Sequence, residues 1–337
     1  MRFAEAAGLR VSSIGLGTWQ FGSWEWGYGK DYSGREALLI VEKALDLGIT
    51  LVDTAEVYGF GRSERILGRA LAERRGEAVI ATKIFPVMPA GPVVSNRARA
   101  SARRLGVEAI DLYQVHWPNP VVPISATMAE LAKLRDEGLV RYVGVSNFSL
   151  AGWQAAEKAL GSPVVSNQVR YSLADRRPEK DLLGWAQAND RLIIAYSPLG
   201  QGLLSARYDA DHRPGGLRAT TKEFLPDNLR RADAMLQVLR EVARNHDATP
   251  AQVALAWLIS HPNVVAIPGA SSVSQVESNA AAADLELSEA EVSELSAASS
   301  SYDPVGGPTG MAMRARAIGE DLLGRFGAFG QKPPRAS

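Results

Sequence analysis

The chain has 337 residues, of which 46% are hydrophobic, and its 37 Lys and Arg balance 37 Asp and Glu to a formal net charge of +0. This balance, without runs of like charge, argues against nucleic acid or a membrane surface as a partner and favours a small molecule. The chain has no cysteine and no apolar stretch suited to a signal peptide or a membrane span, so we expect a cytoplasmic protein without disulfides.

The first part of the chain predicts a hairpin, a strand, a loop and a helix. Residues Arg2–Ser13 have the pattern of a short antiparallel hairpin, and Ile14–Gly17 follows as a buried strand. An aromatic loop, Trp19–Tyr32, comes next. Ser33 and Glu36 then form a capping box, which predicts the start of a helix.

From there, apolar runs and helical patterns alternate along the chain. The further predicted strands are Thr50–Asp53, Val79–Lys83, Asp111–Val115, Arg141–Val145, Val164–Gln168, Leu192–Tyr196 and Val264–Ile267. The helices between them are Ser63–Glu73, Val93–Leu105, Ser125–Glu137, Ser149–Leu160, Glu179–Asn189 and Thr249–Ser260. Strands that are apolar on both faces indicate a parallel sheet covered by crossover helices. Eight such units favour a closed (β/α)8 barrel, although an open doubly wound sheet would show the same alternation.

The later part of the chain adds a long loop, further helices and a tail. A Gly- and Pro-punctuated loop, Pro198–Asn228, precedes an additional helix at Leu229–Asn245. After the last strand we predict a helix at Val273–Ala283 and another that begins with a capping box at Ser288 and Glu291. We therefore predict one catalytic domain over residues 1–303. Residues 304–337 form a tail, which either folds over the site or is disordered.

Four polar residues end or follow successive strands and predict an acid–base site. Asp53, Lys83 and His116 come at the ends of three strands in a row, and Tyr58 lies just beyond the first. In a barrel these strand ends converge on one face. A Tyr hydroxyl is a weak acid with a pKa of about 10, and a nearby ammonium held by a carboxylate lowers that value. Each residue alone also suits a cap, a surface charge or a packing role, but the set predicts proton transfer beside a carbonyl.

Other chemistries fit the sequence less well. The chain lacks a G-x-S-x-G elbow, and its 4 histidines are not spaced as metal ligands, so we predict no metal site. Lys83 as a Schiff-base lysine in a different barrel, such as an aldolase, stays open as an alternative. The presence of Asp53, Tyr58 and His116 at equivalent positions argues against a Schiff-base role of Lys83.

The motifs around these four residues resemble those of the aldo-keto reductases. The resemblance begins with LVDTAEVYGFGRSE at residues 51–64 and includes Lys83 and His116. It extends over about residues 9–285 through GLGTW (Gly15–Trp19), VGVSNF (Val143–Phe148), NQVRYS (Asn167–Ser172), YSPLGQGLL (Tyr196–Leu204) and IPGASSVSQVESN (Ile267–Asn279). It implies a (β/α)8 barrel that reduces aldehydes or ketones with a nicotinamide dinucleotide.

The resemblance also implies a role for each matched residue. Tyr58 would be the general acid, Lys83 and Asp53 would tune it, and His116 would orient the carbonyl. Ser146, Asn147 and Gln168 would bind the nicotinamide carboxamide, Tyr196 would stack on its ring, Ser197–Gln201 would follow the pyrophosphate, and Gly269–Asn279 would hold the adenosine end. The full predicted cofactor set is Gly17, Thr18, Trp19, Asp53, Ser146, Asn147, Gln168, Tyr196, Ser197, Pro198, Leu199, Gly200, Gln201, Ile267, Gly269, Ala270, Ser271, Gln275, Ser278 and Asn279.

Aromatic residues near the predicted mouth are candidates for the substrate pocket. Trp24, Trp26, Tyr28 and Trp117 would line it together with Tyr58 and His116. The alternative is that the aromatic residues of the first loop only pin that loop to the barrel rim.

The chain departs from the family pattern in its cofactor region, and a second function stays open as an alternative. NADPH-preferring relatives usually carry Arg or Lys after the IPG motif, whereas this chain has no basic residue between Ile267 and Asn279. We therefore predict use of NADP(H), NAD(H) or both. The potassium-channel β subunits resemble the same family, so a cofactor-binding regulatory subunit with little turnover is the alternative function.

Overall fold

The computed structural model describes residues 1–22, 28–29, 33–215, 218–219 and 221–306. Two strands, β1 (Phe3–Ala6) and β2 (Leu9–Ser12), form an antiparallel hairpin. Eight parallel strands follow, namely β3 (Leu16–Gly17), β4 (Leu51–Asp53), β5 (Val79–Ile84), β6 (Ile110–Val115), β7 (Val140–Ser146), β8 (Ser166–Arg170), β9 (Leu192–Tyr196) and β10 (Val264–Ala266). Helices α1 to α10 are Gly34–Asp46, Arg62–Ala70, Pro92–Leu105, Ile124–Asp136, Leu150–Leu160, Leu182–Ala188, Pro226–Asn245, Pro250–Ile259, Val273–Ala281 and Glu289–Ser300.

The parallel sheet closes on itself. Its strands pair in chain order from β3 to β10. Hydrogen bonds then join the two ends of the sheet, since Gly15 N donates to Ala266 O at 2.8 Å and Ala266 N donates to Ser13 O at 2.9 Å. A further bond runs from Gly17 N to Pro268 O at 3.0 Å. The predicted (β/α)8 barrel is confirmed.

The N-terminal hairpin covers one end of the barrel. Leu9 and Val11 of β2 are buried against the apolar side chains that fill the barrel interior, among them Leu51, Leu112 and Leu192. Tyr142 Oη also donates to Gly8 O at 2.8 Å, which fixes the hairpin turn to β7. A second, larger apolar layer lies between the strands and the surrounding helices. The hairpin therefore leaves the carboxyl ends of the strands as the accessible face.

The predicted helix starts are confirmed where the sequence contains a capping box. The side chains of Ser33, Thr249 and Ser288 each accept a hydrogen bond from a backbone N–H of the first turn. The side chain of the paired Glu or Gln in turn accepts from the backbone N–H of the cap residue. These reciprocal bonds satisfy amide groups that have no partner within the helix.

Three predicted helices have wrong boundaries, and the first of them, Ser63–Glu73, ends early at Ala70. The predicted helix Glu179–Asn189 is a 3₁₀ turn (Arg177–Lys180) followed by α6, because Asp181 between them has a φ of −148° that no helix accommodates. The additional helix begins at Pro226 rather than at Leu229, since proline suits the first helical turn, where its missing N–H is not needed.

Some predictions lie outside the described residues. Trp24 and Trp26 belong to this group, and so does the tail from residue 307 onward. None of the helices within the described ranges is both long enough and apolar enough to cross a membrane.

Candidate active site

The alternation of side chains along each strand places the predicted acid–base residues at the mouth of the barrel. On β4, β5 and β6, an apolar residue of the barrel interior precedes each of them by two or four positions. Side chains two residues apart lie on the same face of a strand. The apolar residues are Leu51, Ala81 and Leu112. Asp53, Lys83 and His116 therefore face the barrel axis at its carboxyl end.

Lys83 is the centre of this cluster. Its Nζ donates to Asp53 Oδ1 at 2.6 Å, to Thr54 O at 2.8 Å and to Tyr58 Oη at 3.3 Å. Asp53 Oδ2 accepts a bond of 2.7 Å from Gln168 Nε2. All three ammonium donors thus have an acceptor, which is the arrangement that a buried charge requires.

Asp53 and Lys83 form an ion pair with both side chains buried. Burial raises the pKa of Asp53, while Lys83 and then the Gln168 bond oppose the rise. Burial lowers the pKa of Lys83, but the facing Asp53 and Tyr58 outweigh burial, so the pKa is raised overall. We assign the pair as carboxylate and ammonium, because each charged atom has hydrogen-bond partners that suit that form.

Tyr58 reaches Lys83 from a strained turn. The turn Tyr58–Gly61 contains Gly59, Phe60 and Gly61 in the left-handed region, with φ of 54°, 55° and 76°. Burial raises the pKa of Tyr58 above its usual 10.0, and the Lys83 charge opposes this without cancelling it. The sequence predicted a lowered value. The net direction differs because the phenol is far less hydrated here than in water.

His116 lies across from Tyr58 and is uncharged near neutral pH. The two ring centroids are 5.9 Å apart in an edge-on arrangement, and the Phe85 ring is 6.1 Å from the imidazole. Burial, together with the Lys83 charge, lowers the pKa of His116 to about 3. Its Nδ1 is buried without a hydrogen-bond partner among the described residues.

The residues predicted to hold the nicotinamide form one hydrogen-bonded chain next to this cluster. Tyr196 Oη donates to Asn147 Oδ1 at 3.0 Å, and Asn147 Nδ2 donates to Ser146 Oγ at 3.0 Å. Ser146 Oγ donates to Gln168 O at 2.8 Å, and Gln168 also binds Asp53. The chain therefore links the half-buried Tyr196 at the mouth to the buried carboxylate.

The segment predicted to follow the pyrophosphate has an unusual backbone. Ser197, Gly200, Gln201 and Gly202 have φ of 49°, 55°, 58° and 104°. The step from Leu199, with φ of −102°, to the left-handed Gly200 is of the kind that turns backbone N–H groups toward an anion. Gly200 N and Gly202 N themselves donate to Ser197 O and Leu199 O. Pro198 and Leu199 lie within the same segment.

The residues predicted for the adenosine end lie where the sheet closes. Gly17 pairs with Gly269, and a Cβ at Gly17 would lie 2.8 Å from Ile267 O. Ser272 caps α9, and Gln275 Oε1 accepts from Ser271 N at 2.9 Å. Of the other residues predicted for the adenosine end, Ala270 has a carbonyl that accepts from Gln20, Ser278 is half-buried and Asn279 is buried. Thr18, which belongs to the wider predicted cofactor set, is bonded to Asp53 O.

Comparison with known proteins identifies the family. The sequence profile of the Aldo/keto reductase family matches residues 13–300. The chain belongs to the aldo/keto reductase family. It is therefore an oxidoreductase of carbonyl compounds, and the recognition made from the sequence motifs is confirmed.

Individual relatives extend over most of the chain. An uncharacterised oxidoreductase of Mycobacterium tuberculosis is 55% identical over 306 residues, which cover 90% of this chain and 95% of the relative. The NADH-specific methylglyoxal reductase of Escherichia coli is 31% identical, with 84% and 93% covered. The crystal structure of an aldo-keto reductase from Klebsiella pneumoniae in complex with NADPH is 30% identical, with a TM-score of 0.72 and coverage of 91% and 98%.

In this aldo/keto reductase the candidate substrate residues divide into two groups. The Trp117 ring stacks on His116 at 6.3 Å, and the Trp19 ring, which the sequence assigned to the cofactor, is 6.5 Å from Tyr58. Tyr28 instead lies 5.9 Å below the Arg62 guanidinium, and its hydroxyl is near Gly34. These described contacts of Tyr28 favour the alternative that it pins its loop.

Several neighbours of the cluster escaped the sequence analysis. Gln114 lies on the inward face of β6 two residues before His116, a position that the period of two would have revealed. Glu56 binds Phe85 N at 2.5 Å and pairs with Arg97 of α3, which lies 41 residues away. No local sequence pattern predicts such a distant pair.

A groove of about 520 Å³ between α2 and α3 lies apart from these residues. Four arginines line it, including Arg69 in the last turn of α2 and Arg103 and Arg104 in the last turn of α3. Cations at helix carboxyl ends offset the helix dipole, so these residues have a structural explanation. We therefore place the active site at the barrel mouth.

Proposed function

We propose that this chain reduces an aldehyde or ketone to an alcohol with NADPH or NADH, within a single catalytic domain over residues 1–303. Tyr58 is the general acid, and Lys83, Asp53 and His116 assist it. The observation that carries the proposal is the position of Lys83 Nζ, which binds the Asp53 carboxylate and the Tyr58 hydroxyl at the same time.

The phenol supplies the proton of the reaction. A nicotinamide held beside the cluster would supply the hydride to the carbonyl carbon, so the carbonyl oxygen would need one proton to become the alcohol. Because burial keeps the pKa of Tyr58 above its usual value, the phenol stays protonated at neutral pH. The ammonium of Lys83 lies 3.3 Å from the oxygen that becomes negative when the proton leaves, and it stabilises that charge.

His116 orients the carbonyl as a neutral hydrogen-bond donor. Its pKa of about 3 means that the imidazole carries one N–H near neutral pH and does not compete with Tyr58 as an acid. The ring lies edge-on to Tyr58, and the Trp117 ring stacked on it shields the site on that side. Exclusion of water strengthens the electrostatic interactions between these groups and the substrate.

The residues at the mouth fit a nicotinamide dinucleotide. Ser146, Asn147 and Gln168 offer neutral hydroxyl and amide groups beside the cluster, as recognition of a carboxamide needs. Tyr196 offers a half-buried aromatic face. The backbone of Ser197–Gln201 and the amino end of α9 suit the anionic part of a dinucleotide.

Cofactor choice depends on the region that starts at Ile267. It has no Arg or Lys up to Asn279, and Gln275 is already bonded to Ser271 N. The lost charge-assisted bond to a 2′-phosphate is worth about 1.5–3 kcal/mol. We therefore expect catalytic efficiencies with NADH and NADPH that are comparable. One relative is named an NADH-specific reductase, and one structural neighbour was solved in complex with NADPH. A hundredfold preference of this chain for NADPH would contradict the expected comparable efficiencies.

The decisive assay follows the loss of reduced-cofactor absorbance with 4-nitrobenzaldehyde, for the wild type and for Tyr58→Phe. We expect the variant to lose about 10²–10⁴-fold in kcat/KM, because it keeps the ring but has no proton to give. Dissociation constants for NADPH and NADH, measured by the change in tryptophan fluorescence, should stay within twofold. Tight cofactor binding with equal inactivity of both proteins would instead favour the regulatory function.

A further inference from the structure

Exposed apolar side chains are concentrated around the barrel mouth. Among the described residues, ten large apolar side chains are exposed, and all but three of them lie on the loops that follow β3, β4, β5 and β6. The three others are Phe3, Leu39 and Val93. An exposed apolar side chain by itself needs no explanation, but seven of them on the loops at one end of a barrel indicate a binding surface.

The group has an inner and an outer part. Trp19, Phe85 and Trp117 form the inner part, next to Tyr58 and His116. The outer part consists of Phe60, Val87, Met88 and Val121, which we call the apolar rim. Phe60 is 95% exposed, Val121 85% and Met88 70%.

The backbone holds the apolar rim in place. Asn119 Nδ2 donates to Pro86 O at 2.7 Å, and Asn119 Oδ1 accepts from Val121 N at 2.7 Å, so one side chain ties together two of the loops. Phe60 and Met88 both have left-handed φ, 55° and 46°, a conformation that bulky side chains disfavour. Strained backbone that presents an apolar side chain to solvent indicates a function for that side chain.

The charges beside the loop of Val87 neutralise each other. Glu56 and Arg97 lie next to this loop and form an ion pair. Arg97 also donates to Val87 O at 3.1 Å. On the Phe60 side, the Arg62 guanidinium donates to Gly22 O at 3.2 Å and lies over the Tyr28 ring. The part of the rim around Val87, Met88 and Val121 therefore offers apolar contact beside a neutralised pair, which suits an uncharged group.

We infer that the preferred substrates are carbonyl compounds with an extended, uncharged apolar group that lies along the apolar rim while the carbonyl is held at Tyr58. This inference rests on the proposed function and specifies its substrate class. Compounds of three carbons, such as methylglyoxal, fill only the inner part of the mouth. A longer alkyl or aryl group would remove the apolar rim from water.

The test is a homologous series of straight-chain aldehydes from propanal to nonanal. We expect kcat/KM to rise about two- to fourfold for each added methylene, mainly through KM, because each methylene leaves water. Met88→Gln and Val121→Thr should flatten this rise, while kcat/KM for propanal stays within twofold. Leu39→Gln, at an exposed apolar residue of α1 outside the rim, is the control and should leave the series unchanged.

The outcomes separate the inference from the proposed function. If short aldehydes are reduced but the wild-type series is flat or falls with length, the substrate class is wrong and the reductase function stands. If the variants change the sedimentation of the protein and leave the slope intact, the rim is a contact between copies and the inference fails. If no aldehyde of any length is reduced, both fail.

Discussion

Asp53 and Asp111 are both buried aspartates on neighbouring parts of one sheet, and both pair with cations, yet they do different work. Asp111 Oδ2 accepts from Arg75 Nη2 at 2.5 Å and from Ile80 N at 2.9 Å, and its Oδ1 accepts from Arg141 Nη1 at 2.9 Å. Arg141 is exposed and Arg75 is half-buried. Asp53 instead faces a lysine that is fully buried.

Position along the strand explains the contrast. Asp111 is the second residue of β6, at the closed end of the barrel, and its partners hold neighbouring segments together. Asp53 is the last residue of β4, at the open end, where its partner Lys83 has one further donor directed at Tyr58. In the proposed function, a buried pair of an aspartate and a cation is therefore structural at one end of the barrel and takes part in the reaction at the other.

Removing the cation at Asp53 should have the largest effect on activity. We expect Lys83→Met to lower kcat/KM about 10²–10⁴-fold, because the charge on Tyr58 is no longer stabilised. It should also destabilise the fold by about 3–5 kcal/mol, since it leaves the Asp53 charge buried and unpaired.

The double variant Asp53→Asn/Lys83→Met separates these two effects, because it removes both charges. Thermal unfolding should return toward the wild-type midpoint, while steady-state kinetics still show the loss of activity. A double variant that keeps more than a tenth of the activity would show that the ion pair is structural, like that of Asp111.

The reverse outcome is expected at Asp111. Asp111→Asn keeps one acceptor and loses the charge, so we expect about 1–3 kcal/mol less stability, measured by urea denaturation. At temperatures where the variant is folded, kcat and KM should stay within twofold of the wild type. A tenfold loss of kcat would mean that the closed end of the barrel affects the chemistry.

Glu56 tests the intermediate case, because its ion pair lies beside the mouth without touching Tyr58. Its carboxylate joins the loop of Tyr58 to Phe85, whose ring faces His116. We expect Arg97→Met to lower kcat about tenfold with little change in KM, and Glu56→Gln to have no further effect in that background. Arg99→Met, in an exposed pair on the same helix, is the control. Equal losses from both arginines would indicate a general effect on stability.

His116 should make stability depend on pH. In the unfolded chain it takes up a proton below a pKa of 6.5, whereas in the folded protein it does so only near 3. The stability that the neutral ring contributes is therefore present above pH 6.5 and is lost as pH falls below it. Between pH 7.5 and 5.5 we expect the wild type to lose about 1 kcal/mol more than His116→Gln. Parallel denaturation curves for the two proteins at both pH values would contradict this.

Much of the fold was predictable from the sequence because its signals are local. Capping boxes and the alternation of apolar runs depend on residues within a few positions of each other, and they located most strands and helices. The break at Asp181 was not predictable, since the residues on both sides of it favour a helix and only the packing decides the backbone there.

The candidate site was predictable to the extent that it follows strand ends. Asp53, Lys83 and His116 needed only the barrel and the period of two to be brought together. The raised pKa of Tyr58 was not predictable, because it depends on how far burial outweighs the charge of Lys83, and the sequence does not show burial at this level. The Glu56–Arg97 pair was not predictable either, because it joins distant parts of the chain.

The hairpin of β1 and β2 also has a kinetic consequence. Because it fills one end of the barrel, we expect a carbonyl compound, its alcohol product and the nicotinamide to use the opening at the other end. With a single opening, binding and release must follow a fixed order, because the molecule that is bound deeper cannot dissociate before the one bound above it. The rate of a full catalytic cycle then depends on the ordered release of product and cofactor as well as on proton and hydride transfer.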